Sequence, residues 1–255
     1  MAYAVITRET EAAAPYAAAL APLGLDAIAL PVTRTAPPRD PDQLARAVAR
    51  GGYAAIVVAS ARAAAALEAA RGAAVLPEVW AVGPATARAL AAAGIAAQVP
   101  PAVRDGASLA RALLGARVLA GHRVLVPRAE GGRDEAIDLL CAAGAEVDAI
   151  AAYRTVAADP GDPALALGLE LLRRGEIAVC AVFAPSQVAA LAALVGRGQR
   201  DGSPGLRELA ARFVAIGETT AAALRDAGVA DVAVAEAATP ERLAKAVAAV
   251  YPLRP

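Results

Sequence analysis

Four times along this chain an alanine-rich stretch closes with a leucine, three further residues and a glycine: LAPLG at Gly24, LAAAG at Gly94, LCAAG at Gly144 and LRDAG at Gly228. Glycine just past a helix takes the left-handed conformation that residues with side chains resist, so each closure marks a helix end. Short apolar runs alternate with these stretches. They predict strands over residues 3–7, 27–31, 54–59, 79–82, 97–100, 123–127, 147–152, 177–183, 213–216 and 231–235, with helices filling most gaps. Strands alternating with helices imply an α/β fold with mostly parallel sheets.

The closures belong to a longer internal duplication. Residues 5–35 align with 125–155 at a shift of 120, pairing Arg8 with Arg128, Leu20 with Leu140, Gly24 with Gly144, Arg34 with Arg154 and Thr35 with Thr155. VVASARAAAAL at 57–67 then aligns with AVFAPSQVAAL at 181–191, and VGPATARALAAAG at 82–94 with IGETTAAALRDAG at 216–228. The order is kept while the shift grows slowly, as expected for one duplicated α/β unit with loop insertions. Two similar parallel-sheet domains are therefore expected. TAPPRDPD at 35–42 and VAADPGDP at 156–163 interrupt the alternation at the same point of each repeat, and their Pro and Asp density reads as linkers. Whether each leading unit packs with its own half or with the other stays open at this point.

Composition narrows the chemistry. The charges balance, with 25 basic and 25 acidic residues, whereas a nucleic-acid binder usually carries a basic surplus. Mean hydropathy is positive, yet Arg or Glu interrupts every alanine tract before a bilayer-spanning length. The opening MAYAVITRETE reads as a first strand rather than an export leader, so a cytoplasmic protein is expected. His122 is the only histidine, and Cys141 and Cys180 the only cysteines, too few for a four-ligand zinc site; no metal is expected. Both thiols read as reduced and buried. A Ser-His-Asp triad would have to use His122, which opens a strand.

In open α/β sheets, ligands bind beyond the carboxyl ends of the strands, where helix N-termini suit anions. The polar residues at such turns are Thr7 and Arg8, Ser60 and Arg62, Thr86, Arg128 with the EGGRDE loop at 130–135, Ser186, and Thr219 with Thr220. Tyr153 lies where the second leading unit meets its linker. Taken singly, Ser60, Thr86, Ser186 and Thr220 read as helix caps, Arg8 and Arg128 as surface arginines, and Tyr153 as a strand tyrosine. EGGRDE matches no nucleotide-binding motif.

The ordered set says more than its members. VAIGETTAAALRDAG followed by AEAATPERLAKAV, over 214–247, resembles the C-terminal signature of uroporphyrinogen-III synthases. YRT at 153–155, the opening VITR, VGPATARAL and VPRAEGGRDE resemble further blocks of that family, in order over nearly the whole chain. The chain departs from the family pattern at Ala59, Ala184 and Glu218, the last placing an acid near a supposed anion site. The resemblance implies two α/β domains joined by a two-stranded linker: residues 1–34 plus 157–255, residues 40–153, and linkers 35–39 and 154–156. Each leading unit would then pack with the opposite half. It also implies a cofactor-free lyase of tetrapyrrole (heme) biosynthesis that closes hydroxymethylbilane with loss of water and inversion of the last pyrrole, in a cleft between the domains. Tyr153 would assist the leaving hydroxyl, and Arg8, Ser60, Thr86, Arg128, Ser186, Thr219 and Thr220 would meet substrate carboxylates. A monomer with no nucleic-acid or membrane partner is expected. Two alternatives stand beside this reading: a hinged anion-binding protein, and a regulatory domain of the same fold that has lost activity.

Overall fold

The computed structural model describes residues 2–196 and 205–251. Its first half runs β1 (Ala2–Ile6), α1 (Thr10–Leu20), β2 (Leu25–Ala29), β3 (Thr33–Ala36), α2 (Gln43–Arg50), β4 (Tyr53–Val58), α3 (Ala61–Arg71), β5 (Glu78–Ala81), α4 (Gly83–Ala92) and α5 (Gly106–Ala116). The second half runs β6 (Arg123–Ala129), α6 (Glu135–Ala142), β7 (Glu146–Ala157), α7 (Pro163–Arg173), β8 (Ile177–Val182), α8 (Pro185–Gly196), β9 (Arg212–Ala215), α9 (Glu218–Asp226), β10 (Val232–Val234) and α10 (Pro240–Val250). The strands form two sheets, ordered β10-β9-β8-β1-β2 and β3-β7-β6-β4-β5. All neighbours in the first are parallel, and in the second β4 runs parallel to β5 and β6, and β6 to β7.

The chain separates into two compact units, Met1–Arg34 with Val156–Pro255, and Thr35–Thr155. Both crossings fall inside a strand, β3 and β7. Residues 33–36 are therefore strand although TRTA carries no apolar run, and β7 continues through Tyr153, Arg154 and Thr155 to Ala157. Val32 O accepts from Ala158 N at 2.9 Å, and Pro37 O from Arg154 Nε at 2.9 Å, on either side of the paired strands. The expected strand at 97–100 shrinks to one bridge, Gln98 to Trp80. Pro100 and Pro101 have no N–H to extend it.

Strand periodicity builds a core on both faces of each sheet. In the first unit Ala4, Ile6, Val179 and Ala181 face α1 and α10, while Val5, Cys180 and Val182 face α7, α8 and α9. In the second unit Ile56, Val58 and Leu125 lie with Leu67 and Leu90, while Ala55, Val57 and Val124 lie with Leu109 and Leu140. The helix closures read from sequence are built as expected: Gly24, Gly94, Gly144 and Gly228 all have positive φ, and their leucines Leu20, Leu90, Leu140 and Leu224 are fully buried. In three of them the residue after the glycine donates its N–H back to the leucine carbonyl, Ile95 to Leu90 at 2.9 Å, Ala145 to Leu140 at 3.1 Å and Val229 to Leu224 at 3.0 Å. That bond satisfies a helix-end carbonyl and packs two apolar side chains together.

Candidate anion-binding site

In the second sheet the chain moves outward in one direction from β4 to β5 and in the other from β6 to β7. The reversal between β4 and β6 leaves a crevice at their carboxyl ends, where α/β proteins bind ligands. A pocket of about 360 Å³ lies there, with Ser60, Arg111, Arg128, Arg133 and Tyr153 in its wall. Three helix starts converge on it. Ser60 caps α3 by accepting from Ala63 N at 3.1 Å, and Asp105 caps α5 by accepting from Ser108 N at 2.8 Å and Oγ at 2.6 Å. A Cβ added at Gly106, the first residue of α5, would lie 3.5 Å from Ala136 Cβ on α6 and 3.7 Å from Ala59 Cβ after β4. Positive dipole ends from several helices therefore border one small space, which favours an anion, in a wall that also holds three arginines and the acids Asp105 and Glu135.

Tyr153 reaches this space because β7 continues past the other strands, in register with Ala129 at the end of β6. Its hydroxyl is 3.3 Å from Ser60 Oγ, and the Arg62 guanidinium lies 6.0 Å from its ring centre. Ser60 is thus both the cap read from sequence and a neighbour of the tyrosine. Arg128 is turned into its own loop, donating to the Gly132 carbonyl and pairing with Asp134. It orders the EGGRDE loop, whose turn uses Gly131 at a φ of 67°. Thr86, in the first turn of α4 after β5, is 4% exposed and stands outside the pocket wall.

The first unit shows a similar reversal between β1 and β8. There the Thr7 hydroxyl sits 3.1 Å from Ala181 O and 2.7 Å from Gln187 Oε1, which also accepts from Phe183 N at 2.9 Å. Arg8 stacks over Tyr16 and Phe183, its guanidinium 5.4 and 5.0 Å from their ring centres. Arg8 and Arg128, matched in the repeat, are thus held in different ways. Ser186 is exposed in the first turn of α8; Thr219 is exposed and Thr220 buried in the first turn of α9. Glu218 at the same helix start pairs with Arg225 at 2.6 Å, so its charge is partly answered there.

Sequence reasoning missed Gln187, Arg111 and Asp105. Asp105 carried a signal, Asp-x-x-Ser before an apolar helix, which closes as a reciprocal cap. Cys141 corrects an expectation: it is exposed, because α6 turns the adjacent Leu140 inward and leaves the cysteine on the outer face. Cys180 is buried as expected, and burial pushes its thiol up to about 12, so it stays protonated and inert. Among the described residues no three His, Cys, Asp or Glu side chains are grouped to hold a metal ion, and no helix is long and apolar enough to cross a membrane.

A second polar cluster sits at the opposite, amino end of the same sheet. Tyr53 opens β4, Arg123 opens β6, and Asp148 lies near the start of β7. The Tyr53 hydroxyl donates to Asp148 Oδ2 at 2.6 Å, Arg50 pairs with the same carboxylate at 2.6 Å, and Arg123 pairs with it as well while lying over the Tyr53 ring. This clasp ties three parallel strands at the end away from the pocket.

The fold and pocket define a class: a parallel α/β protein of two units, one of which carries a pocket at the carboxyl ends of its strands, bordered by helix starts and arginines. A family model described as uroporphyrinogen-III synthase HemD matches residues 14–245, and the chain belongs to that family. Among solved structures it resembles a mutant uroporphyrinogen III synthase from Thermus thermophilus at 24% identity, a TM-score of 0.54 and coverage of 98% of this chain and 97% of that one. It also resembles the uroporphyrinogen-III synthetase of Helicobacter pylori at 14% identity, a TM-score of 0.59 and coverage of 98% and 99%. At these identities the structures speak for the fold. No curated protein sequence matches the chain.

Proposed function

We propose that this chain closes hydroxymethylbilane to uroporphyrinogen III as a cytoplasmic, cofactor-free lyase, with Tyr153 as the acid. The observation that carries this reading is the pocket of the Thr35–Thr155 unit, where the Tyr153 hydroxyl stands among converging helix starts, beside Ser60. In the reaction the C–O bond of the hydroxymethyl group breaks, its electron pair leaves with the oxygen, and that oxygen takes the Tyr153 proton and departs as water. The cationic azafulvene that remains is attacked by the far pyrrole through its substituted α-carbon; the bond from that carbon to its older methylene bridge then breaks and reforms at the ring's other α-carbon, and the closed, inverted ring sheds a proton that restores Tyr153. Unaided closure gives the wrong isomer, so the protein's larger task is to hold one conformation of the chain. Helix starts and arginines suit the eight substrate carboxylates. Ser60, Thr86 and Arg128 on one unit, and Arg8, Ser186, Thr219 and Thr220 on the other, are the contacts we assign to them; Arg128 and Arg8 would have to leave their present partners, and the buried Thr86 and Thr220 to be uncovered, to take part.

The same reading takes residues 1–34 plus 157–255 and residues 40–153 as two domains from one duplication, crossed by linkers at 35–39 and 154–156. The strand order supports it: β10-β9-β8-β1-β2 in one sheet matches the Gln98 bridge, then β5-β4-β6-β7, in the other, under the pairing read from sequence.

The test is to supply hydroxymethylbilane to the purified protein and resolve the products by chromatography. The type III isomer should dominate, against type I in the enzyme-free control; identical mixtures would refute the proposal. Thr86→Ala and Thr220→Ala should each raise KM about three- to tenfold, the value of one hydrogen bond, with kcat nearly kept.

A further inference from the structure

We propose that Arg111 and Arg133 form a carboxylate clamp in the Tyr153 pocket, holding the adjacent acetate and propionate of the pyrrole that carries the leaving hydroxymethyl group. This rests on the reaction proposed above and adds to it which part of the substrate the pocket takes and by which residues. The two arginines come from different elements, Arg111 from the second turn of α5 and Arg133 from the loop before α6, yet line the same cavity as Ser60 and Tyr153. Arg128, in the same wall, spends its donors on Gly132 and Asp134. By contrast, among the described residues neither Arg111 nor Arg133 has a carboxylate within ion-pair distance or a hydrogen-bonded acceptor. Two acids share the wall, Glu135 and Asp105, and Asp105 feels both arginine charges. Its carboxyl is held below the ordinary carboxylate range first by the Ser108 hydroxyl and N–H, and then by the charges of Arg133 and Arg111. Asp105 is committed as the α5 cap, so both guanidinium groups keep their forked donors for an incoming carboxylate.

Size and chemistry agree on the occupant. About 360 Å³ suits a fragment such as one substituted pyrrole rather than a whole tetrapyrrole chain. One such ring presents two carboxylates on neighbouring carbons, and the pocket offers two unpaired arginines. The hydroxymethyl carbon sits on the same ring, so clamping its acid arms would bring the leaving hydroxyl to Tyr153 and Ser60.

The experiment compares wild type with Arg111→Gln, Arg133→Gln, the double variant and the charge-keeping Arg111→Lys. Both arginines are exposed, so the melting temperature should hold. Each single substitution should raise KM for hydroxymethylbilane about threefold to tenfold, and the double variant more, with kcat within about twofold. Wild-type KM should rise with added salt, and that dependence should flatten in the double variant; Arg111→Lys should recover part of the affinity. A fluorescence titration with uroporphyrin III, an octacarboxylate that needs no turnover, should show the same loss of affinity. Wild-type protein that makes no type III product would overturn the proposed reaction, and the titration would then still judge the clamp. Unchanged KM and unchanged uroporphyrin affinity in the double variant would overturn the clamp alone. So would a KM rise that comes with a fall in melting temperature, or a wild type that does not bind uroporphyrin.

Discussion

Replacing Tyr153 with phenylalanine should lower turnover of hydroxymethylbilane about a hundredfold, with KM and melting temperature nearly unchanged. Tyrosine carries the most acidic hydroxyl in the pocket wall; serine is a far weaker acid, and the arginines stay protonated. General acid help is worth about a hundredfold to ten-thousandfold, and a substrate already inclined to lose water places this case at the low end. A hundredfold corresponds to about 2.7 kcal/mol of barrier. The fold should not notice. Tyr153 is half-buried and among the described residues its hydroxyl has one hydrogen-bonding neighbour, Ser60 Oγ at 3.3 Å, which keeps its capping bond to Ala63 when the phenol is gone. The ring stays, and with it the packing beside Ile150 and Ala152 in the core of that unit. Isomer-resolved kinetics beside thermal melts decide the matter. Near-wild-type turnover with an unchanged melt would remove Tyr153 from the chemistry and leave catalysis to conformational control alone.

What the sequence made legible was local. Alternation within a strand and a Leu-x-x-x-Gly closure each act over a few residues, so the alternating helices and strands and all four closures could be read directly. Pairing that depends on a distant partner could not. β3 is four residues of TRTA, half exposed, and it is a strand because β7 runs beside it. The run at 97–100 has the composition of a strand but meets prolines before it can pair beyond Gln98. The site follows the same division. Ser60 could be read as a cap from its position and Asp105 carried a cap signal that went unread, whereas the meeting of Ser60 with Tyr153 spans 93 residues and Arg111 looked like any arginine in an alanine-rich helix. Tyr153 came forward through the family resemblance, since a lone tyrosine in a strand announces nothing. Cys141 shows the limit within a helix: its burial turned on one position of helical phase beside Leu140.

The clasp at the amino end of the Thr35–Thr155 sheet should make stability depend on acid, and Asp148→Ala should remove about 1–3 kcal/mol of it. The carboxylate takes up the Tyr53 hydroxyl together with Arg50 and Arg123, and its loss would leave two guanidinium groups facing each other across a tyrosine. About a third of the Asp148 side chain is exposed, at 33%, so water screens part of the interaction and the lower half of that range is expected. The Tyr53 hydrogen bond first, then Arg123 and Arg50, hold the Asp148 carboxyl below its ordinary range. A carboxylate depressed in the folded state stabilises the fold above its unfolded pKa, about 4, and that contribution drains away as pH falls through the lower folded value. Tyr53 works in the opposite sense. Burial first, and then Asp148, push its hydroxyl up, so its contribution is whole below about pH 10 and is lost as pH rises past the folded value. Unfolding measured between roughly pH 3 and pH 7 should show wild type losing stability at the acid end and Asp148→Ala lacking that part of the slope. Tyr53→Phe removes the largest cause of the depressed carboxyl, so its smaller acid-sensitive share should be gone at a higher pH than in wild type. Superimposable pH profiles for wild type and Asp148→Ala would mean that the cluster decorates the strand ends without holding them, and that the sheet's register rests on its apolar faces and ladder bonds alone.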